Sequence, residues 1–92
     1  VSLAQLEYFV AVAEEGHLTR AAERLHISQP PLTRAVQKLE QELGLPLFER
    51  TTRGMRLLPA GQHLLTRARE ILRLVESTRQ EAAGHSQRSP FK

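Results

Sequence analysis

From Leu3 to Glu15 the apolar residues Leu3, Leu6, Phe9, Val10 and Ala13 recur at helical spacing and share one face, and Gly16 ends the run. Tyr8 and Val12 lie on the other side with Ala4 and Ala11, so this first helix asks for a contact on both faces. Leu18, Ala21, Ala22 and Leu25 predict a short second helix over 18–25, with two alanines that let another helix approach closely. The stretch His26 to Ser28 is a tight connection, and Ser28 stands where the cap of a third helix, 29–43, belongs; Gly44 stops that helix.

At about 100° per residue the third helix sorts cleanly. Leu32, Ala35, Val36, Leu39 and Leu43 face inward, and Pro30, Thr33, Arg34, Gln37, Lys38 and Gln41 face outward. Glu40 and Glu42 fall on the flanks, which leaves the outward face free of acid. The helix opens on Pro30 and Pro31. If Ser28 is the cap, the two backbone donors it would normally hold are missing, because proline has no N–H. The Ser28 hydroxyl is then free for another partner such as a phosphate, and the first turn is stiffened before it meets anything.

Two short strands are predicted next, Leu47 to Arg50 and Met55 to Leu58, around a turn at Thr51 to Gly54 in which Gly54 supplies a positive φ. Pro59 sits in the favoured first turn of a long helix over 59–83. Its residues Gly61, Leu64, Ala68, Ile71, Val75, Thr78 and Ala82 keep a heptad register, widened by Leu65 and Leu72. So wide a stripe on a protruding helix predicts dimerisation through Leu64, Leu65, Ala68, Ile71, Leu72 and Val75. Tyr8 and Val12 are expected to meet the long helix of the same chain or of its partner. The expected organisation is a first unit over 1–58, a linker and dimerisation helix over 59–83, and a flexible tail or linker over 84–92.

Composition narrows the chemistry. The 92 residues suffice for one small domain. The absence of cysteine excludes disulfides and fits a reducing compartment. No apolar run is long enough to span a membrane, so no membrane partner is expected. Net charge is only +3, but it is uneven: the segment before His17 carries Glu7, Glu14 and Glu15 and no Lys or Arg, whereas the middle of the chain is basic. His17, His26, His63 and His85 show no ligand spacing, so neither a metal nor a cofactor is expected. No Ser/His/acid or paired-carboxylate arrangement is present, and an enzyme is rejected.

Two short helices, a tight turn, a polar-faced third helix and a basic hairpin make a mainly helical fold, a winged helix-turn-helix, with the third helix placed to enter the major groove of duplex DNA. Arg34 suits bidentate bonds to guanine, Gln29 and Gln37 suit adenine, and the Thr33 methyl or the Pro30 ring suits a thymine methyl. Thr19, Arg20, Arg24, Ser28, Pro31 and Lys38 are expected at phosphates, where they position without specifying. Arg50, Thr52 and Arg53 form the wing set, with Arg53 within reach of a minor groove; Arg50 could equally pair with Glu49. The competing reading is a protein-interaction module. It fits poorly, because interface centres favour aromatic and apolar side chains and this face has neither.

The ordered set "SQPPLTR…LE…LG…LFER…R…AG" resembles the N-terminal DNA-binding domain of LysR-type transcriptional regulators over roughly residues 2–80. The resemblance implies a bacterial, cytoplasmic, nucleoid-associated regulator that binds interrupted palindromes as a dimer or tetramer. It also implies that the long helix pairs with a partner's and leads to an effector-binding domain, outside this chain, where a small molecule would bind. In the family's pattern Gln29, Pro30, Thr33 and Arg34 fall at groove-facing positions and Arg53 at the wing. Two residues depart from it: Leu58 stands where a threonine often caps the long helix, and His17 where a small hydroxyl residue often caps the second. Both helix starts are therefore expected to be less firmly fixed.

Overall fold

The computed structural model describes residues 1–87. Helices α1 (Leu3–Glu15), α2 (Leu18–Leu25) and α3 (Gln29–Leu43) are followed by strands β1 (Phe48–Thr51) and β2 (Gly54–Leu57) and by the long helix α4 (Pro59–Gln87). The three short helices fall where periodicity puts them. Each ends on a residue in the left-handed region: Gly16, His26 and Gly44. At His26 this conformation is carried without glycine, at φ 57°, and it turns the chain sharply from α2 into α3.

Some boundaries differ from expectation. The strands pair antiparallel with Phe48 opposite Leu57 and Thr51 opposite Gly54, so each is shifted by one position toward the turn from the predicted place. The physical reason is the tight turn: Thr51 Oγ1 donates to the Gly54 carbonyl at 3.1 Å and accepts from Arg53 N at 3.1 Å, which draws Thr51 and Gly54 into the ladder. The long helix continues past 83 through Gly84 to Gln87. The remainder of the expected tail, 88–92, lies outside the described residues.

One apolar cluster holds the elements together. It draws Leu6, Phe9, Val10, Ala11 and Val12 from α1, Leu18, Ala21 and Ala22 from α2, and Leu32, Val36 and Leu39 from α3. Leu47 and Phe48 join from the start of the wing, and Leu65 and Ala68 from α4. The Phe9 and Phe48 rings meet at 5.3 Å, tilted by 52°. Leu3 and Leu43, expected inward, remain 44% and 40% exposed. They occupy the first and last positions of their helices, where the ends run past the neighbouring elements.

Val12, expected to meet the long helix of the same chain or of its partner, and Leu65 and Ala68 of the dimerisation set do not face outward. They are buried within the protomer, because α4 lies along α1, and Ala11 and Ala68, both almost wholly enclosed, let the two helices approach. Leu64 and Leu72 pack against the same cluster, as does Tyr8. Of that set on α4 only Ile71 is exposed; Val75 is half-buried but lies outside the cluster, and Leu74, outside the heptad register, is 67% exposed.

The start of α4 is fixed without a side-chain cap. Leu58 N donates to the Leu47 carbonyl at 2.9 Å, and Gln62 N to the Leu58 carbonyl at 2.9 Å. Gly61 is buried here; a Cβ on it would overlap the Leu47 carbonyl and the Leu57 side chain. Gly61→Ala is therefore expected to destabilise the domain by about 1–3 kcal/mol, as overpacking against backbone does. A denaturant melt with an unchanged midpoint would disprove this close approach.

Candidate nucleic-acid interface

The outward face of α3 is built by its own periodicity. Gln29, Pro30, Arg34, Gln37, Lys38 and Gln41 are exposed, while Leu32, Val36 and Leu39 anchor the opposite side. Ser28 makes no side-chain cap bond, as its two prolines require, and its hydroxyl faces solvent. Thr33 is half-buried: it lines a small groove with Leu18, Val36, Phe48, Arg50 and Met55, where α3 meets the wing.

Clefts flank α3 on two sides. On the wing side His17, Thr19, Gln29, Arg50, Thr52 and Arg53 are among the residues around a cleft of about 570 Å³ that has no carboxylate in its lining. On the other side Ser2, Gln5, Pro31, Arg34, Lys38 and Glu42 border a second cleft, of about 620 Å³. Among the described residues no carboxylate stands within ion-pair distance of Arg20, Arg34, Lys38, Arg50 or Arg53. Thr19 and Arg20 are exposed on α2, and Arg50, Thr52 and Arg53 on the wing. Arg50 does not take Glu49; Arg56, across the ladder, does, with Nε at 2.8 Å.

The nearby acids are occupied by structure. Glu40 Oε2 accepts from Leu47 N at 2.8 Å and Phe48 N at 3.3 Å, which ties the end of α3 to the start of the wing. The sequence reading left Glu40 as a flank residue; its place just before the Gly44 turn was the only signal of this role. The wing tip is held as well. Met55 N donates to the Gly16 carbonyl at 2.8 Å, and Gly54, at φ 130°, packs so closely on that carbonyl that a Cβ would overlap it.

Arg24, expected at a phosphate, is exposed and paired with acids of α1. Its Nη1 lies 2.8 Å from Glu14 Oε1 and 3.2 Å from Glu15 Oε2, so both acids at the end of α1 hold it. Glu14 also takes Arg69 of α4, through Nη2 at 2.8 Å and Nε at 3.0 Å. Spacing along α2 could not reveal this, because the carboxylates come from another helix. Partial burial pushes the Glu14 carboxyl up, but hydrogen bonds and attraction from Arg69 and Arg24 outweigh it and hold the group below its ordinary value.

The comparisons with known proteins agree with this architecture. Residues 3–62 match the family described as bacterial regulatory helix-turn-helix protein, lysR family. The chain is 59% identical over 75 residues to the HTH-type transcriptional regulator ClcR of Pseudomonas putida, covering 82% of this chain and 26% of that protein. It is 50% identical over 94 residues to the regulator TfdT of Cupriavidus pinatubonensis, covering all of this chain and 41% of that protein. The chain thus spans well under half the length of either relative. Among solved structures, the CbnR DNA-binding domain in complex with DNA aligns with a TM-score of 0.88 at 45% identity, over 94% of this chain and 99% of that one. The BenM DNA-binding domain with catB site 1 DNA aligns with a TM-score of 0.91 at 40% identity, over 94% and 96%.

Removing the shared carboxylate tests the polar frame. A depressed carboxyl contributes stability that is present above its ordinary titration range and is lost as pH falls through its folded value. Glu14→Gln is expected to cost about 0.5–1 kcal/mol at neutral pH, a modest figure because the pairs are solvent-screened. It should also flatten the acid side of the stability curve below about pH 4.5. An acid limb identical to that of the parent would show that Glu14 does not carry this dependence.

Proposed function

The chain belongs to the LysR family of bacterial regulatory helix-turn-helix proteins, and from that membership we propose that it binds duplex DNA with α3 in the major groove and the wing beside it. The observation that carries the reading is the acid-free outer face of α3, whose cations Arg34 and Lys38 are unpaired among the described residues. Arg34, Gln29, Gln37, Thr33 and Pro30 are the base-reading set. Lys38, Thr19, Arg20, Ser28 and Pro31 hold phosphates, and Arg50, Thr52 and Arg53 bring the wing to the backbone and minor groove. Arg24 supports this surface from behind.

The protein acts as a homodimer on an interrupted palindrome, and its regulator works in the bacterial cytoplasm at the nucleoid. The pairing surface is the outer stripe of α4 around Ile71, Leu74 and Val75, continued by the free edge of Tyr8. Ile71 is 41% exposed and Leu74 67%, and with Val75 they fall on one side of the helix. Two-fold symmetry then sets two α3 helices about one DNA turn, or a multiple, apart. DNA reading itself needs no cofactor or metal; a small-molecule effector would act through a domain beyond this chain. No helix among the described residues is long and apolar enough to cross a membrane.

On a duplex selected from a random pool, Arg34→Ala is expected to weaken binding by about 1–3 kcal/mol and relax preference at one position. Lys38→Ala should weaken all sequences alike and lower the salt slope by about 1. Equal affinity of Arg34→Ala and the parent for the selected duplex would remove α3 as the reader. Sedimentation is expected to give a dimer at high concentration, shifted to monomer by Ile71→Glu with Leu74→Glu. Parent protein that stays monomeric both free and on DNA would rule out pairing through α4.

A further inference from the structure

His17 occupies the N-cap position of α2 but makes no cap bond with its side chain. Its ring turns away from the helix: Nδ1 lies 3.3 Å from the Glu15 carbonyl, which fits a proton on that nitrogen. The opposite edge of the ring lies at the wing tip, where a Cβ on Gly54 would stand 3.0 Å from Cδ2 and 3.2 Å from Nε2. The half-buried ring thus forms one wall of the carboxylate-free cleft shared with Thr19, Gln29, Arg50, Thr52 and Arg53.

From this geometry, and resting on the DNA-binding reading above, we infer that the cleft seats a backbone phosphate of the duplex and that His17 is a proton-linked contact to it. With Nδ1 donating to a carbonyl, a neutral ring offers Nε2 only as an acceptor, which a phosphate oxygen repels. Protonation at Nε2 converts that edge into a charged donor beside Arg50 and Arg53. The charged groups around the ring set the direction of the linkage. From the wing, Arg50 and Arg53 line the same cleft; on α2, Arg20 is the nearest free cation in sequence. From α1, the Glu14 and Glu15 carboxylates are held by Arg24, and the α3 acid nearest the wing, Glu40, is held by backbone N–H groups. A phosphate seated in the cleft adds an anion beside the ring. Protonation of the ring therefore strengthens the contact, so affinity is expected to be greater at low pH and to fall as pH rises.

The test is a titration of the 92-residue chain with a mixed-sequence duplex at fixed ionic strength, because salt alone alters such affinities. Affinity is expected to rise on the order of fivefold from about pH 8 to pH 6, the range in which imidazoles change charge. His17→Gln removes the charge, and His17→Ser does so while restoring a capping hydroxyl; both should bind with a flat profile across that range. By proton NMR, the His17 ring resonances in the parent should move when duplex is added. A flat parent profile, or a slope kept by both variants, overturns the inference and leaves DNA binding standing. Failure of the parent to bind duplex at any pH overturns the DNA-binding reading and the inference with it.

Discussion

The Phe9 ring is wholly enclosed, and the tilted Phe48 ring at 5.3 Å couples it to the first strand of the wing. A chain with four aromatic residues (Tyr8, Phe9, Phe48 and Phe91) has little apolar surface to spend on separate cores. It makes one cluster, to which α1, α2, α3, β1 and α4 each contribute, so no element can shift without disturbing the rest. Full burial of a side chain of this size is worth about 1.5–3 kcal/mol, a large share of a small domain's net stability. The outward face of α3 is as well defined as it is because its inward residues, Leu32, Val36 and Leu39, are locked into that cluster.

Hydrogen bonds then fix what apolar packing leaves loose. A two-stranded hairpin is marginal alone and must be held by something else. Three ties hold this one: the Glu40 carboxylate on the N–H groups of Leu47 and Phe48, the Gly16 carbonyl on Met55 N, and the Leu47 carbonyl on Leu58 N. The first joins the wing to α3 and the second to the turn after α1, while the third closes the base of the hairpin just before α4. The same economy explains the distribution of charge. Glu14, Glu15, Glu40 and Glu49 are engaged by arginines or backbone donors, while Arg20, Arg34, Lys38, Arg50 and Arg53 carry none of these acids. A chain of modest net charge thereby presents one strongly positive side.

Much of this was legible from spacing. The three short helices, their stops, the idle Ser28 hydroxyl, the positive φ at Gly54 and the outer residues of α3 all follow from local rules about periodicity, caps and proline. Other features were not legible. A helical wheel tells which residues share a face and not which neighbour that face meets, so neither the pairing of Arg24 with Glu14 nor the burial of Leu65 and Ala68 and the exposure of Leu74 can be read from spacing.

The sequence by itself determined the elements, the polar character of the α3 face and, through an ordered set of motifs, the family, since each depends on residues close together along the chain. Tertiary structure alone decided which cations are free, which apolar residues of α4 stay exposed, and where the wing stands. Those outcomes depend on pairs such as Glu14 with Arg69, Glu40 with Leu47 and Gly16 with Met55. Such partners are brought together only when the helices cross, and no local preference records them.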